Sequence, residues 1–443
     1  MINAAFLDRL KHLNKKHVIF SELIDEVPSD PSFEFHFSAK DNLCTSDFQT
    51  RAGSKILEGY RPPFDATPVR RMRQAGGLLV GKTNMDEFGF GTFGTNSGHG
   101  VPRNPFDPDR SCGGSSGGAA AAACFLDGHV ALGVSTGGSI SCPASFCGVV
   151  GLTPTYGRVS RYGLVDYGNS LDKVGMFARS SSTLKRYLPI IAGPDPMDPT
   201  SCSQSELGFN PVKIESIAVP KEAMENIHSD VRIAFGEALS ILKECMSVKV
   251  KEVSIPSMKF ALPAYYVLAT SEASTNLARY CGMRFGARGG DVTLHFDDFF
   301  SKVRSEHFGK EAKRRILLGT YSRMVGFRNR YYLKALAVRQ TVMKDYDRAL
   351  KDHTLIATPT MPFVSPRFTE IERMRPIDMY RADFLTVPPN LAGLPHISVP
   401  CGYADSMPIG MQLVAKHWAE GVLLGAADCW ESTFQYRFPE AIM

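Results

Sequence analysis

The sequence predicts an α/β chain, on three observations. Stretches with apolar residues at helical spacing are followed closely by short apolar or alternating runs of strand length, at 65–80, 119–134 and 227–253. Apolar residues make up 44% of the 443, enough for a sizeable core. No linker-like boundary, low-complexity tract or internal repeat divides the chain, although its length alone would suggest about three domains. One domain over residues 1–443 is the expectation.

The elements follow in order. The start, MINAAFLDRLKHLNKKH, reads as part of a short helical segment within 1–30. It lacks the apolar block of a signal peptide; its basic excess (Arg9, Lys11, Lys15, Lys16) leans toward an organellar address, which Asp8 and the missing serines oppose. Phe33, Phe35 and Phe37 alternate, predicting a half-buried strand that ends near Lys40. Residues 65–75 read as a helix closed by Gly76, with a strand at 78–80. The alanine-rich 119–125 and the strand-like 129–134 have buried-core composition, and the Pro/Ser-rich 195–211 reads as a surface loop. Positions 231, 235, 239 and 242 give a helix over 227–245 one apolar face, leading into an alternating strand at 248–253. Two further buried strands are expected at 353–359 and 410–414.

Composition narrows the function. Ten cysteines without CxxC spacing, several of them (Cys124, Cys142, Cys147) inside apolar stretches, read as buried free thiols in a reducing compartment. Eleven histidines form no HExxH and no His/Cys cluster, so no metal site is expected. A net charge of +5 on 50 basic and 45 acidic residues is weak support for nucleic-acid binding by this chain alone. No apolar run reaches the roughly 18 residues of a spanning helix, so no membrane contact is expected.

The chemistry concentrates between Cys112 and Gly151, which hold two glycine-flanked serines: Ser115 in GGSSGG and Ser139 in TGGSIS. Gly/Ser clusters are ordinarily turns or linkers, but these alternate with core elements, as linkers do not. GGSSGG lacks the lysine of a phosphate-binding loop, and neither serine sits in a GxSxG elbow. That leaves a serine activated by something other than histidine. Lys40, in FHFSAKDN, is the candidate: apolar alternation around it predicts desolvation, which leaves part of the lysine neutral and able to take a proton.

These motifs resemble the amidase-signature hydrolases, with their Ser-Ser-Lys arrangement. GGSSGG is followed by LGVSTGGSISCPASFCGVVGLTPTYGRVSRYGLV, with 75 positions from Lys40 to Ser115 and 24 from Ser115 to Ser139. The resemblance runs over about 35–431 and implies one large α/β domain, a mixed central sheet covered by helices on both faces. It implies Ser139 as nucleophile, Ser115 as a bridging serine held by a cis peptide bond, and Lys40 as the base. The backbone of Thr136, Gly137, Gly138 and Ser139 would hold the oxyanion, with no metal or cofactor in this chain.

GKTNMDEF, SEASTNLAR, GKEAKRRILLGTY and DFLTVPPNLAGLP further resemble the A subunits of tRNA-dependent amidotransferases. This implies a glutaminase that supplies ammonia for amidation of Glu-tRNA(Gln) and, in many organisms, Asp-tRNA(Asn). The implied partners are a B subunit, which handles the tRNA and uses ATP and Mg, and a small C subunit or its equivalent. The compartment would be cytoplasmic, or the mitochondrial matrix in a eukaryote. The substrate residues fall on Tyr265, Arg315 and Asp383, an arginine fork and a carboxylate suited to the two charged ends of free glutamine. On its own, the run Lys313-Arg314-Arg315 reads as a solvated basic helix face.

Departures from the family pattern are Ser135 and Ser141, where most members carry an acid and an arginine, and Thr153, where lysine is common. Loss of acid and base together predicts a missing structural ion pair rather than a missing catalyst. Thirty-nine residues precede Lys40, fewer than usual, predicting a shortened N-terminal helical region. Three classes remain open: a glutaminase subunit with stable partners, a stand-alone amidase acting on small carboxamides, and a catalytically weakened scaffold subunit.

Overall fold

The computed structural model describes residues 4–27, 33–202, 213–288, 291 and 293–439. Among them, eleven strands form one sheet: β1 (Phe20–Leu23), β2 (Phe35–Lys40), β3 (Gly77–Thr83), β4 (Val130–Ser135), β5 (Val150–Thr153), β6 (Lys173–Ala178), β7 (Ser216–Pro220), β8 (Lys249–Val253), β9 (Leu355–Pro359), β10 (His396–Ala404) and β11 (Met407–Val414). Their order is β1-β3-β2-β4-β6-β5-β10-β11-β9-β7-β8. The sheet is mixed. β2 runs parallel to both β3 and β4, and β7 to both β8 and β9, while the other neighbours pair antiparallel.

Period-two alternation divides the apolar side chains between two faces. Val130, Leu132 and Val134 of β4 and Leu355 and Ala357 of β9 join one core with the helices Thr67–Gln74, Ser181–Ile191, Ser229–Cys245 and Glu420–Thr433. On the opposite face, Ala131 of β4 meets the helices Ala4–His17 and Gly117–Phe125. Ile356 of β9 meets Met258–Asn276 and Lys334–Asp352 on that face. A sheet covered on both sides makes its central strands apolar throughout, so β4 and β9 read as continuous runs.

The differences from the sequence expectations have local causes. The strand expected at 78–80 extends to Thr83, because Lys82 is buried with its ammonium on Leu43 O (2.6 Å) and Thr50 Oγ1 (3.0 Å). The expected half-buried strand ending at Lys40 starts at Phe35, and Phe37 to Lys40 are wholly buried between β3 and β4. β8 lies at the sheet edge, where no residue of it is fully buried, and the expected alternation breaks at Lys251 and Glu252, which are both exposed. Within 195–211, Asp195 turns inward to accept from Thr67 Oγ1 (2.5 Å) and Ser160 Oγ (2.6 Å); residues 203–211 lie outside the described residues. Cys124, Cys142 and Cys147 are buried free thiols. Among the described residues no helix is long and apolar enough to cross a membrane.

Candidate active site

β2 ends in Lys40, whose side chain is wholly buried. Its Nζ donates to Ser115 Oγ at 2.7 Å and to the Val134 carbonyl of β4 at 3.1 Å. Burial pushes the Lys40 pKa down to about 7, with the charges of Asp86 and Asp172 opposing the shift. At pH 7 about half of such a lysine is neutral, against roughly one part in 3,000 for a solvated one.

Ser115 follows a cis Gly114–Ser115 peptide bond and opens the approach to the helix Gly117–Phe125. Gly114 admits no side chain: a Cβ there would lie 2.1 Å from Asp86 Oδ2. Asp86 is itself buried, accepts the amides of Asn96 (2.8 Å) and Gly94 (3.1 Å), and is pushed up to about 6 by burial.

The carbonyl that Lys40 engages belongs to the strand from which the second serine departs. After Ser135 the chain makes the turn Thr136-Gly137-Gly138-Ser139 and enters the helix Ser141–Cys147; Ser139 is 7% exposed. Both glycines are required. A Cβ at Gly137 would come within 2.8 Å of the Tyr265 ring, and one at Gly138 within 2.2 Å of Thr386 Oγ1. Among the described residues, the amides of Gly137, Gly138 and Ser139 donate to no protein group. Buried amides are normally paired, so three unspent donors on one turn suit a developing oxyanion. Thr136 is pinned on both sides: its hydroxyl donates to Asp172 Oδ1 (2.7 Å), and its carbonyl accepts from Asn390 Nδ2.

Tyr265 projects from Met258–Asn276 onto Gly137, while Arg315 comes from the helix Lys310–Arg323 and Asp383 from the turn Ala382–Phe384. Arg315 is only 3% exposed, so the solvated-face reading does not hold for it. It is turned inward among Phe90, Tyr266, Tyr380 and Tyr167, with its guanidinium carbon 5.1–5.7 Å from the ring centres. Its Nε donates to Glu311 (2.8 Å) and its Nη1 to the Tyr167 hydroxyl (2.5 Å). Among the described residues Nη2 has no partner, which leaves one edge of the fork for a carboxylate. Asp383 accepts from Thr92 Oγ1 (2.8 Å) and from the hydroxyl of Tyr266 (2.9 Å), the ring that also faces Arg315. Burial raises it to about 6, so it is ionised at neutral pH. A cavity of about 220 Å³ lined by Gly91, Thr92, Glu311, Arg315 and Tyr380 opens above the arginine. The wider cleft of about 790 Å³ beside Phe6, Phe35 and Tyr187 shares none of these residues.

Thus Lys40 and Ser115 are in contact, Tyr265 covers the Ser139 turn, and Tyr266 links Arg315 to Asp383. Sequence reasoning did not single out Asp86, Asp172, Thr92, Tyr167, Tyr266 or Glu311. Asp86 lies inside GKTNMDEF, but a lone buried carboxylate has no spacing signature. Of the three departures, the Ser141 and Thr153 hydroxyls are buried without partners among the described residues, and Ser135 faces Lys173 across β4 and β6. Lys173 is buried and donates to the Leu394 carbonyl (2.8 Å), and nothing in the structure explains the serine at 135.

The family model described as Amidase matches residues 35–424. The chain is 45% identical over 403 residues to the A subunit of glutamyl-tRNA(Gln) amidotransferase from Desulforamulus reducens, covering 90% of this chain and 82% of the relative. It is 47% identical over 404 residues to the corresponding protein of Methanosarcina mazei, covering 90% and 84%. The crystal structure of the Thermotoga maritima counterpart superposes with a TM-score of 0.84 at 35% identity, covering 98% of this chain and 93% of that one. With that sheet and these two glycine-rich serine loops, the chain belongs to the amidase family, and the A subunits of glutamyl-tRNA(Gln) amidotransferase are its relatives over nine-tenths of its length.

Proposed function

We propose that this chain hydrolyses glutamine to glutamate and ammonia as the A subunit of a tRNA-dependent amidotransferase. The ammonia would serve amidation of Glu-tRNA(Gln), and of Asp-tRNA(Asn) where the partners select it. The observation that carries the reading is Arg315, buried with one edge of its fork free and linked through Tyr266 to an ionised Asp383. A free amino acid presents a carboxylate and an ammonium to such a pair; an uncharged amide has no use for it.

The Lys40–Ser115 contact and the unspent amides of the 136–139 turn support the following chemistry. Neutral Lys40 takes a proton from Ser115 as Ser115 takes one from Ser139, and Ser139 Oγ attacks the side-chain carboxamide carbon. The amides of the 136–139 turn hold the oxyanion. The relay returns the proton to the nitrogen, the C–N bond breaks and ammonia leaves. Water then cleaves the acyl ester, giving glutamate and restoring Ser139. In this reading a B subunit binds the tRNA and uses ATP and Mg, a small C subunit or its equivalent completes the complex, and this chain itself needs no cofactor. The free buried thiols suit a reducing compartment, the cytoplasm or, in a eukaryote, the mitochondrial matrix.

Arg315→Ala tests the clamp. The expected result is a rise of about 10–100-fold in KM for glutamine, the loss of one charged hydrogen-bond pair, with hydrolysis of a small uncharged carboxamide changed only a few-fold. An unchanged KM for glutamine would move the assignment to a stand-alone amidase.

A further inference from the structure

Asp172 takes no part in these steps, yet it reaches three parts of the site. It lies at the entry to β6 and is 1% exposed. Its Oδ1 accepts from the Thr136 hydroxyl at 2.7 Å, and its Oδ2 accepts the amides of Tyr167 (2.9 Å) and Gly168 (3.0 Å). The Tyr167 hydroxyl in turn receives Arg315 Nη1. One carboxylate therefore joins the oxyanion turn to the loop that seats the clamp arginine. A buried carboxylate is costly to the fold even when well bonded, which makes its place between two working parts informative.

The geometry points to Asp172 as a positioning residue. It fixes the oxyanion turn through the Thr136 hydroxyl, keeps that turn in register with the Tyr167–Arg315 contact, and presents negative charge toward Lys40. This rests on the reading of Ser139 as nucleophile.

The charged groups that face Lys40 are Asp86 and Asp172, and those that face Asp172 include Asp166 and Arg161. Burial raises Asp172 to about 7, so it is ionised over the upper part of the Lys40 titration, where its charge holds the ammonium. Removing the carboxylate's charge stabilises the Lys40 ammonium less, so Lys40 gives up its proton at lower pH. Loosening the turn lowers kcat, by about 10²-fold for a displacement near 1 Å.

The test is ammonia release from glutamine as a function of pH, using the full chain with its co-purifying partners. Asp172→Asn is expected to lower kcat and to move the acid limb of kcat/KM to lower pH. Thr136→Val is expected to lower kcat with the limb in place, and Thr136→Ser, which keeps the hydroxyl, to recover most of that loss. A purely structural role would not move the limb. An Asp172→Asn limb that coincides with the wild type overturns the proposal, as does wild-type kcat in Thr136→Val. If Asp172→Asn does not fold, the two Thr136 variants decide, and equal kcat for valine and serine overturns it. Undiminished activity in Ser139→Ala would instead sink the site reading, and this proposal with it.

Discussion

A lysine in water holds its proton far above neutral pH, and everything proposed for Lys40 depends on its having been removed from water. The wholly buried ammonium has Ser115 Oγ and one carbonyl for company, with two carboxylates near enough to temper the shift. The neutral form is the base, so kcat/KM for glutamine is expected to rise through about pH 7 and level off above it. A flat profile between about pH 6 and 9 would remove Lys40 from the proton relay. The sequence singled out Ser115 and Ser139 by their flanking glycines, Lys40 by the apolar alternation before it, and Tyr265, Arg315 and Asp383 through the motifs around them. The structure sets Lys40 against Ser115 and buries all six. Asp172 and Asp86 were not singled out. Their roles arise from what surrounds them, and an isolated aspartate in a string of letters carries no trace of burial.

At the scale of elements, the site is made by the ends of two adjacent parallel strands. β2 delivers Lys40 and β4 delivers the turn, and their pairing brings Lys40 to the Val134 carbonyl. The turn tolerates only glycine where Tyr265 and Thr386 press on it. Gly138→Ala is expected to lower kcat by about 10²-fold with a smaller change in KM, and Thr386→Gly in the same chain to restore part of the loss. Wild-type kcat in Gly138→Ala would mean that the turn does not hold the oxyanion. Helix and strand positions were readable from spacing, to within a few residues. Strand ends were harder, as β3 shows: Gly81, Lys82 and Thr83 look like loop residues until Lys82 is seen bonded inside the sheet.

Across the whole molecule, the order of the sheet was beyond sequence reasoning, because β10 pairs with β5 and β9 with β7 across long separations that no local pattern encodes. The resemblance supplied the mixed sheet, and the two-sided core accounts for it physically. One claim underlies the rest, that Ser139 of this chain hydrolyses glutamine for a partner that uses the ammonia. The most direct measurement is ammonia release from glutamine by the chain purified with whatever co-purifies, beside a Ser139→Ala control, with and without aminoacyl-tRNA and ATP. The expected result is activity that disappears in the control and rises when aminoacyl-tRNA and ATP are added. No glutamine turnover by the wild-type chain, with simple amides cleaved by the same serine, would contradict it.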